Sequence, residues 1–429
     1  MIFQKYKFIE ILYYSLPVLL ITGPFLSDLS VTIIALFSIP FFFQNTSKIN
    51  KNFLIFFSVF YFILILSSIL SDHPFHSLSS SLPYIRFFLF TILIAHLIDN
   101  YNFSLNVFVY IIVTILVVLA FDSLFQLYFG FNIFGFVSPE PLRVSSFFND
   151  ELILGSYIAR LSPLFLGFIY IFFNNKKFGH LIFTIFSILS FSICLISGER
   201  ISVLLVSIVI ILFNLILKDL RKYLTFTLLI FIILSSIILS NKQIYTRIVL
   251  NTIDHLGFTS KIDDEHNFGT NRMIGKIYMF SPVHQNYYIT SLNIFKDNIF
   301  LGKGPNTYRK YCADGNLATV PGAKDKSNVK YGINHDSCTT HPHSFYFQLL
   351  AETGILGFSM ILFLFLYSSK TLFEYIFKIK KVNILKLISI ITIFINLFPI
   401  PSGNFFNNYL SVIIFLALPF LIVEKNIYE

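Results

Sequence analysis

Long apolar stretches alternate with short polar stretches along most of this chain. The first apolar run begins at Phe8 and the last ends at Val423, and runs of membrane-spanning length recur between them. The pattern predicts an all-α polytopic membrane protein with about twelve transmembrane helices. The predicted spans are Phe8–Leu26, Leu29–Gln44, Phe53–Leu70, Pro83–Ile98, Phe103–Phe129, Leu152–Phe173, Gly179–Ile196, Ile201–Leu217, Tyr223–Ser240, Phe345–Tyr367, Val382–Pro399 and Phe406–Val423.

One polar segment is much longer than the others. Residues 241–344 separate the ninth and tenth predicted spans and are too long for a simple connection. Because they carry apolar and aromatic residues of their own, we expect a large, mostly helical cap, with a helix at 287–295 and a turn at 302–305. The predicted organisation is transmembrane helices 1–9 in residues 1–240, this cap segment in 241–344, and helices 10–12 with a tail in 345–429.

Basic residues are unevenly distributed between the loops on the two sides of the predicted spans. Lysines concentrate in alternate short loops, at Lys176 and Lys177, at Lys218, and around Lys378. By the positive-inside rule these loops and both termini are cytoplasmic, and the cap segment lies on the opposite face, the periplasm of a bacterium. The net charge of +9 is explained by these loops, so nucleic-acid binding is excluded. The first apolar run lacks a small-residue cleavage site and is predicted to be a retained helix.

The residues that follow the cap segment combine polar groups with the start of an apolar run. Ser344, Gln348 and Glu352 recur every four residues, so on a helix they form one polar stripe. In a bilayer such a stripe is expected to face protein or a water-filled cavity. His343 lies just before the stripe and belongs to the residue type best suited to proton transfer near neutral pH. The alternative for His343 is a hydrogen-bonded histidine at a helix start.

Local signals place the start of this helix and its packing. Thr339 or Thr340 is expected to cap the helix, and Pro342 suits its first turn. Gly354 and Gly357 are spaced to let another helix approach closely. These signals accompany the predicted span Phe345–Tyr367.

The sequence contains little that would bind a metal or a nucleotide. His341 and His343 are two residues apart and in principle share a metal, but no carboxylate array accompanies them. Residues 302–304 lack the spacing and context of a phosphate-binding loop. We therefore expect no metal and no cofactor, so that a transfer reaction outside the membrane would need an already activated donor.

The sequence H-P-H-S at residues 341–344, followed by L-A-E-T-G at 350–354 and by Gly357, resembles the signature of the bacterial O-antigen ligase and O-antigen polymerase family. The resemblance covers residues 281–358, and a weaker one in the same order covers 143–204. Members of this family are membrane glycosyltransferases that act on undecaprenyl-diphosphate-linked glycans. The resemblance implies that His343 is the catalytic base.

Arg200 is the first candidate for binding the diphosphate of such a donor. It follows Ser197, Gly198 and Glu199 between two apolar spans, and this pattern resembles the position of a family arginine. A guanidinium group offers forked donors that match phosphate oxygens. The resemblance implies a diphosphate clamp in which Glu199 orients Arg200. From the residues alone, an interfacial arginine whose head reaches water is the alternative.

Other arginines are further candidates for the same role. Arg143 lies in an Arg-x-Ser-x-Phe-x-Asn pattern that resembles the family, and a solvated loop charge is the alternative. Arg247 and Arg272 are the two matches to an arginine that the family places in the cap. Arg86 and Arg160 lie inside predicted spans, where a charge must face a partner or a cavity, so each is either a site residue or part of an ion pair.

The resemblance implies transfer of a glycan from an undecaprenyl-diphosphate carrier to an acceptor sugar hydroxyl at the periplasmic face of the inner membrane. Ligation of O-antigen to lipid A core in lipopolysaccharide biosynthesis is the first expectation. Polymerisation onto a second lipid-linked repeat unit is the alternative, and transfer to protein stays open. The expected reaction inverts the anomeric centre without a metal. The expected partners are the lipid-linked donor, one of these acceptors and membrane lipids.

A transporter is the competing functional class, because a lipid-linked oligosaccharide flippase also has about twelve helices. Flippases usually show internal repeats and broken helices at the bilayer midplane, whereas this chain has one large asymmetric outer segment with a histidine motif. A structural membrane protein without activity is the third class, and it would leave the polar stripe and the outer arginines without a role.

The chain contains three cysteines, and two of them lie in the cap segment. Cys194 belongs to an apolar run and is predicted to be an inert buried thiol. Cys312 and Cys338 are expected to form a disulfide, because the periplasm is oxidising. That bridge would connect the turn at 302–305 to the chain just before His343. The alternative is two free thiols.

Overall fold

The computed structural model describes residues 2–44, 50–101, 105–255, 279–312 and 339–423. Within these ranges the chain is helical and contains no β-strand beyond one isolated bridge between Phe131 and Val137. Short 3₁₀ turns lie at Leu82–Tyr84 and Ser146–Phe148, and Thr246–Leu250 is a π-helical turn. The α-helices are Ile2–Ile21 (α1), Pro24–Gln44 (α2), Lys51–Ile69 (α3), Pro74–Ser81 (α4), Ile85–Asn100 (α5), Leu105–Phe129 (α6), Leu154–Phe173 (α7), Gly179–Ile196 (α8), Arg200–Ile216 (α9), Lys218–Arg221 (α10), Leu224–Leu239 (α11), Lys242–Tyr245 (α12), Asn251–His255 (α13), Pro282–Asp297 (α14), Tyr308–Tyr311 (α15), Phe345–Ile376 (α16), Ile384–Asn396 (α17), Asn408–Ala417 (α18) and Pro419–Ile422 (α19).

Six helical stretches in the described part of the chain are long and apolar enough to cross a membrane. A seventh crossing results if Leu224–Leu239 and Lys242–Asp254, which meet at an angle of 107°, form one bent span. Four apolar helices are shorter than a typical span. The six are Lys51–Ile69, Pro74–Asn100, Asn106–Phe129, Leu154–Phe173, Gly179–Ile196 and Phe345–Ile376, and the four shorter ones are Pro24–Pro40, Arg200–Ile216, Ile384–Asn396 and Asn408–Ile422.

These helices support a helical membrane protein but not the predicted count of twelve spans. The prediction treats every apolar run as one straight helix, whereas several of the observed helices end earlier than predicted or bend. Gly23 has a φ of 116° and separates α1 from α2 earlier than predicted. After α17 ends at Asn396, Pro399 and Pro401 follow, and proline cannot continue a helix because it lacks an N–H group. In the described residues, apolar length alone therefore does not establish how many complete crossings the chain makes.

Helix α7 lies at the centre of the bundle. Its residues 157–170 are all buried, and it packs against α8, α9 and α17. By contrast, α3 and α6 expose many apolar side chains on the outside of the bundle, as helices that face lipid do. The central position of α7 explains how a charged residue inside it, Arg160, comes to be surrounded by protein.

The described parts of the predicted cap segment are largely helical and pack onto α16. Helix α14 contains the helix predicted at residues 287–295, and it lies against α16. The chain between α14 and α15 then crosses α16. Lys303 N donates to Ala351 O at 2.9 Å, Gly304 N donates to Glu352 O at 2.8 Å, and Ile355 N donates to Ile299 O at 2.8 Å. This crossing loop is thus joined to α16 by backbone hydrogen bonds.

Gly354 makes this crossing possible. Its backbone is not helical, with φ 62° and ψ −163°, so α16 is interrupted there. A Cβ atom at Gly354 would lie 2.4 Å from the backbone of Phe300, which excludes any larger residue without movement of the loop. The prediction that this glycine admits another helix is therefore wrong, because the partner is the crossing loop. Gly357 likewise faces Thr353 of its own helix.

The predicted span and α16 both begin at Phe345, but the cap of the helix differs from the prediction. The helix begins at Phe345, and Ser344, in an extended conformation, is the cap residue. Thr339 and Thr340 are therefore too early to cap it, and Pro342 does not lie in its first turn. The physical reason is the backbone of His343, whose φ of 51° is left-handed and incompatible with a continuing α-helix.

Candidate functional site

A cavity of about 1040 Å³ lies at the end of the bundle that carries the cap. Its walls come from the loop before α7, the turn between α8 and α9, the π-helical turn, α14, the residues before α16 and the loop between α17 and α18. Its charged and titratable lining residues are Arg143, Asp150, Glu151, Arg160, Glu199, Arg200, Arg247, His284, His341 and His343, and we call it the central cavity.

His343 is held in the cavity wall by its backbone. Ser402 N donates to His343 O at 2.9 Å, and Ser402 Oγ accepts a hydrogen bond from Phe345 N at 3.1 Å. One residue of the loop between α17 and α18 therefore binds the chain on both sides of the histidine. These two bonds hold a left-handed conformation that costs a non-glycine residue about 1–2 kcal/mol.

Aromatic rings surround the imidazole of His343. The ring of Tyr287 stacks on it with centroids 5.6 Å apart and an interplanar angle of 28°. The rings of His341 and His284 lie 4.2 Å and 5.8 Å away. The nitrogens of His343 make no hydrogen bond to any described residue, so they remain available to a group in the cavity.

Both histidines of the H-P-H-S motif favour the neutral form. Burial lowers the pKa of His343 below its usual value of 6.5. Burial, together with the neighbouring His343 and Arg309, lowers the pKa of His341 to about 3. A buried imidazole is more easily neutral than charged because the charged form loses its hydration. At neutral pH His343 is therefore an unprotonated group that can accept a proton.

Three arginines converge on another part of the cavity. Arg143 lies 3.6 Å and Arg247 lies 3.0 Å from carboxylate oxygens of Glu140. Arg200, the first residue of α9, donates to Asn251 O at 3.2 Å and to Thr252 Oγ1 at 3.3 Å. The three guanidinium groups thus come from three different parts of the chain.

Gly198 lets these arginines approach one another. Its φ of 72° is left-handed, and a Cβ atom there would lie 3.2 Å from Arg247 Cγ and 3.4 Å from Arg143 Cγ. A larger residue would push both side chains away. The glycine before Glu199 and Arg200 is therefore part of the geometry that assembles the arginine group.

Glu199 connects the arginine group to α7. Its two carboxylate oxygens accept hydrogen bonds from Gly155 N at 2.9 Å and Ser156 N at 3.0 Å, at the start of that helix. It also lies 3.5 Å from Arg143. Burial raises the pKa of Glu199 to about 7, although Arg143 and the two backbone N–H groups oppose this rise. Near neutral pH Glu199 is therefore only partly ionised, and it neutralises only part of one positive charge of the cavity.

Arg160 adds a fourth guanidinium group from inside α7. Its Nη1 donates to Asn396 Oδ1 at 2.9 Å, and its Nε donates to Ser156 Oγ at 3.2 Å. It also lies over the ring of Phe345 at 5.9 Å, two residues from His343. The expectation that a charge in this span meets a partner or a cavity is met in both respects, since Arg160 is hydrogen-bonded and lines the cavity.

The arrangement suits a multiply charged anion. Arg143 Nε and Arg247 Nε are buried and have no hydrogen-bond partner among the described residues. Buried donors are usually paired, so a missing partner in a cavity points to a ligand or water. Four guanidinium groups at one end and a neutral imidazole nearby can together bind an anionic leaving group and accept a proton.

A family model described as O-antigen ligase matches residues 185–362 of the chain. The matched part of the chain is therefore similar to O-antigen ligases. The matched residues include Glu199, Arg200, Arg247 and His343, and they stop short of Arg143 and Arg160. No curated protein matches the chain.

Four predicted site residues, Glu199, Arg200, Arg247 and His343, lie both in the matched range and in the wall of the central cavity. The central cavity collects five of the site residues predicted from sequence: His343, Arg143, Arg200, Arg247 and Glu199. Their roles in binding and catalysis stay proposals. Arg272 and Cys338 lie outside the described residues, so their predicted roles are unchanged. Cys312 is disulfide-bonded and Cys194 is a free, buried thiol.

The polar stripe of the O-antigen ligase signature lies against protein rather than in the cavity. Glu352 accepts hydrogen bonds from Asn306 N at 2.8 Å and from Tyr308 N at 2.9 Å. Gln348 donates to Glu352 at 3.0 Å and accepts from Phe405 N at 2.8 Å. Gln348 and Glu352 therefore join the cap to the loop that contains Ser402. Ser344 is buried before them and caps α16.

Arg86 does not line the central cavity. It lies at the start of α5 and donates to Asp28 through Nε at 3.0 Å and through Nη2 at 2.7 Å. Its Nη2 also donates to Asn408 Oδ1 at 2.9 Å. Of the two alternatives that the sequence left open for Arg86, the ion pair is the one present, and it joins α2, α5 and α18.

Several lining residues were absent from the predicted site. Ser402 and Tyr409 come from the loop and helix near the C-terminus, where the sequence shows an apolar run interrupted by prolines and asparagines. The hydroxyl of Tyr409 is buried without a hydrogen-bond partner among the described residues. His284 lies in α14, and its Nδ1 is 2.7 Å from Ser281 Oγ. The only signal available in sequence was a break in hydropathy.

The described part of the chain holds no group of three or more histidine, cysteine, aspartate or glutamate side chains placed to bind a metal ion. His341 and His343 therefore lack the further ligands that a shared metal would need there.

Proposed function

We propose that this protein transfers a glycan from an undecaprenyl-diphosphate carrier to a sugar hydroxyl, with O-antigen ligation to lipid A core as the reaction. The observation that carries the proposal is the central cavity, which brings the neutral imidazole of His343 together with four arginines. The O-antigen ligase family match supports the class of reaction.

The arginines act on the donor in this proposal. Arg143, Arg200 and Arg247 hold the diphosphate through forked, permanently charged donors. As the bond between the anomeric carbon and the diphosphate oxygen breaks, negative charge grows on the leaving group. Preorganised positive groups stabilise that charge without reorganising, so they lower the barrier more than they strengthen ground-state binding. The diphosphate needs no metal for its neutralisation, and we expect metal-independent transfer.

His343 acts on the acceptor. Its unprotonated nitrogen takes the proton from the acceptor hydroxyl while the hydroxyl oxygen forms a bond to the anomeric carbon. The electron pair of the broken bond leaves with the lipid diphosphate, so atoms and charge balance in a single displacement. That displacement inverts the configuration of the anomeric carbon. A positioned base of this kind is worth about 10²–10⁴ in rate.

The proposed compartment follows from the basic loops. With both termini in the cytoplasm, the cap end of the bundle and the central cavity lie in the periplasm of a bacterial inner membrane. Lipid-linked glycans and lipid A core would meet there. Arg200 is the first residue of α9 and Arg247 lies in the π-helical turn, so we expect the diphosphate to bind at this end of the bundle while its lipid chain stays in the bilayer.

The experiment is a transfer assay with purified protein in liposomes that contain a labelled undecaprenyl-diphosphate glycan. One sample receives lipid A core and another receives a second lipid-linked glycan. We expect the label on lipid A core, and loss of that product in His343→Ala but not in His96→Ala, a histidine on α5 that does not line the cavity. Label found only on longer lipid-linked chains would favour a polymerase. No transfer to either acceptor, together with movement of labelled lipid across the bilayer, would favour a flippase and contradict the proposal.

A further inference from the structure

A loop next to the central cavity exposes an unusual number of aromatic side chains. It begins in the last turn of α6, and we call residues 128–137 the aromatic loop. Tyr128 is 83 %, Phe134 72 % and Val137 68 % exposed. The remaining exposed apolar residues in it are Phe129, Phe131, Ile133 and Phe136. No charged residue occurs between Asp122 and Glu140.

The loop has a fixed shape, which its buried polar groups impose. Asn132 is fully buried, and its Oδ1 accepts hydrogen bonds from Phe134 N at 3.0 Å and Phe136 N at 2.9 Å. Asp122, also fully buried, accepts from Ile133 N at 2.9 Å. Asn132, the polar side chain of residues 129–137, therefore points inward. The aromatic side chains are therefore exposed, and the hydrogen bonds prevent the loop from folding back to bury them.

The exposed surface continues a surface that already faces lipid. Helix α6 is one of the six candidate spans and ends at Phe129. Phe121 and Leu124 are 63 % and 55 % exposed, and with Tyr128 they follow helical spacing on one side of α6. The aromatic loop extends this side beyond the helix end, at the level where a span leaves the bilayer.

We infer that the aromatic loop inserts into the bilayer interface beside the central cavity. Aromatic residues are enriched in this layer, where a ring can be buried while the backbone stays hydrogen-bonded. A protein partner is less favoured, because a protein interface normally carries a polar or charged rim and this surface has no charge. The occupant is therefore lipid, at the end of the bundle that carries the cap.

The insertion would fix the height of the arginine group relative to the membrane. Gln126 Oε1 accepts hydrogen bonds from Ser145 N at 3.1 Å and Ser146 N at 2.6 Å, and Asn132 Nδ2 donates to Ser146 O at 3.0 Å. These bonds connect the end of α6 and the aromatic loop to the chain just after Arg143. The ring of Phe134 also contacts Phe147, which lines the cavity, at 5.4 Å.

The chain has no tryptophan, so a single introduced tryptophan reports its own surroundings without background. The full-length protein would carry Phe134→Trp and be reconstituted with phosphatidylcholine whose acyl chains are brominated. Three matched variants serve as references. They are Phe121→Trp on the exposed side of α6, Phe165→Trp in the buried core, and Lys310→Trp on the exposed surface of the cap.

We expect brominated lipid to reduce the fluorescence of Phe134→Trp by at least about twofold, as for Phe121→Trp, and iodide in the buffer to have little effect. For Lys310→Trp we expect the reverse, with strong quenching by iodide and little effect of brominated lipid. Val137→Trp provides a second site in the loop should Phe134→Trp not fold. Quenching of both loop tryptophans by iodide as strongly as Lys310→Trp would place the loop in water and overturn the inference. Protection from both quenchers, as for Phe165→Trp, would mean that protein covers the loop and would overturn it equally.

Discussion

His343 combines a left-handed backbone with a buried, unprotonated ring. The backbone conformation is unfavourable for a histidine, and the structure maintains it through Ser402 on one side and the start of α16 on the other. Strained backbone in a cavity wall is commonly found where a side chain must be aimed at a ligand. At His343, the backbone conformation and the unprotonated ring therefore both support the proposed role as a base.

The pH dependence of transfer should show which group acts as the base. A base works in its unprotonated form, and burial lowers the pKa of His343 below 6.5. The rate should therefore fall as the pH falls through a midpoint below 6.5. Glu199, whose pKa burial raises to about 7, is the competing origin of such a change. We expect the rate of Glu199→Gln to fall at low pH with the same midpoint as that of the wild type. A midpoint near 7 that disappears in Glu199→Gln would assign the titration to Glu199 instead.

Ser402 is expected to position His343 without touching substrate. Ser402→Ala removes the acceptor for Phe345 N but keeps the N–H that binds His343 O. Misplacement of a reacting group by about 1 Å costs on the order of 10²-fold in rate, so kcat should fall about 10- to 100-fold at unchanged donor affinity.

The conservative variant Ser402→Thr keeps the hydroxyl and should restore most of the activity. Ser207→Ala on α9 removes a hydroxyl that bonds only within its own helix, and it serves as the control. Equal kcat in Ser402→Ala and the wild type would show that His343 does not depend on this bond.

At the residue scale, the place of a side chain in the cavity wall was easiest to predict where a motif surrounds it. His343 and Arg200 have neighbours of a recognisable pattern, and both line the cavity. Arg86 was proposed from hydropathy alone, and the structure pairs it with Asp28, because a charge in an apolar run is satisfied equally by a counter-ion. Ser402 and Tyr409 could not be predicted, since their importance arises from contacts between distant parts of the chain.

At the scale of secondary-structure elements, the crossing of α16 by the loop after α14 organises the cap. The loop joins the cap to the helix that follows His343, and Glu352 adds two hydrogen bonds from its side chain. After Gly354 the helix still has 22 residues, from 355 to 376, and thus about 33 Å of length. That length spans the hydrocarbon core on its own, so the segment before Gly354 is available to bind the cap.

Gly354→Ala should therefore destabilise the protein and weaken transfer. The added Cβ would lie 2.4 Å from backbone atoms of Phe300, at a left-handed φ. We expect a loss of about 2–3 kcal/mol in the free energy of unfolding, seen as a lower thermal midpoint in detergent. Ser359→Ala, one turn later in the same helix, should change stability by less than about 0.5 kcal/mol. Equal stability of the two variants would mean that the crossing is not tightly packed.

The sequence anticipated helices better than their interruptions. The helix at 287–295 was predicted by its local pattern and lies within α14. The turn predicted at 302–305 is an irregular stretch of backbone in which Gly302 and Gly304 have positive φ. The break at Gly354 was not, because T-G-I-L-G also fits a continuous membrane helix. What decides the break is a loop about fifty residues earlier in the chain, and no local pattern carries that information.

At the scale of the whole molecule, membrane topology determines in which compartment the cap and the central cavity lie. Reporter fusions at Lys176, Lys218 and Lys378 should read cytoplasmic, and a fusion at Lys324 should read periplasmic, because basic loops stay inside. A cytoplasmic signal at Lys324 would place the cap and the central cavity on the wrong side for a lipid A core acceptor.

The overall architecture illustrates what hydropathy can and cannot provide. An all-α membrane protein followed directly from the length of the apolar runs. The number of crossings did not, since bends such as the 107° angle after Leu239 and short helices such as α17 leave no mark in average hydropathy. The cavity results from the meeting of at least five segments, which only the three-dimensional structure shows.

The most direct test of the account measures donor binding and transfer separately in the same liposomes. Labelled undecaprenyl-diphosphate glycan would be titrated against the wild type, His343→Ala and Arg200→Lys, and transfer to lipid A core followed in parallel. We expect His343→Ala to bind donor within about threefold of the wild type while transferring at least about 10²-fold more slowly. Arg200→Lys keeps the charge but loses the fork, and should bind donor about tenfold more weakly. Transfer by His343→Ala at nearly the wild-type rate would contradict the central claim that this histidine is the base beside an arginine-bound diphosphate.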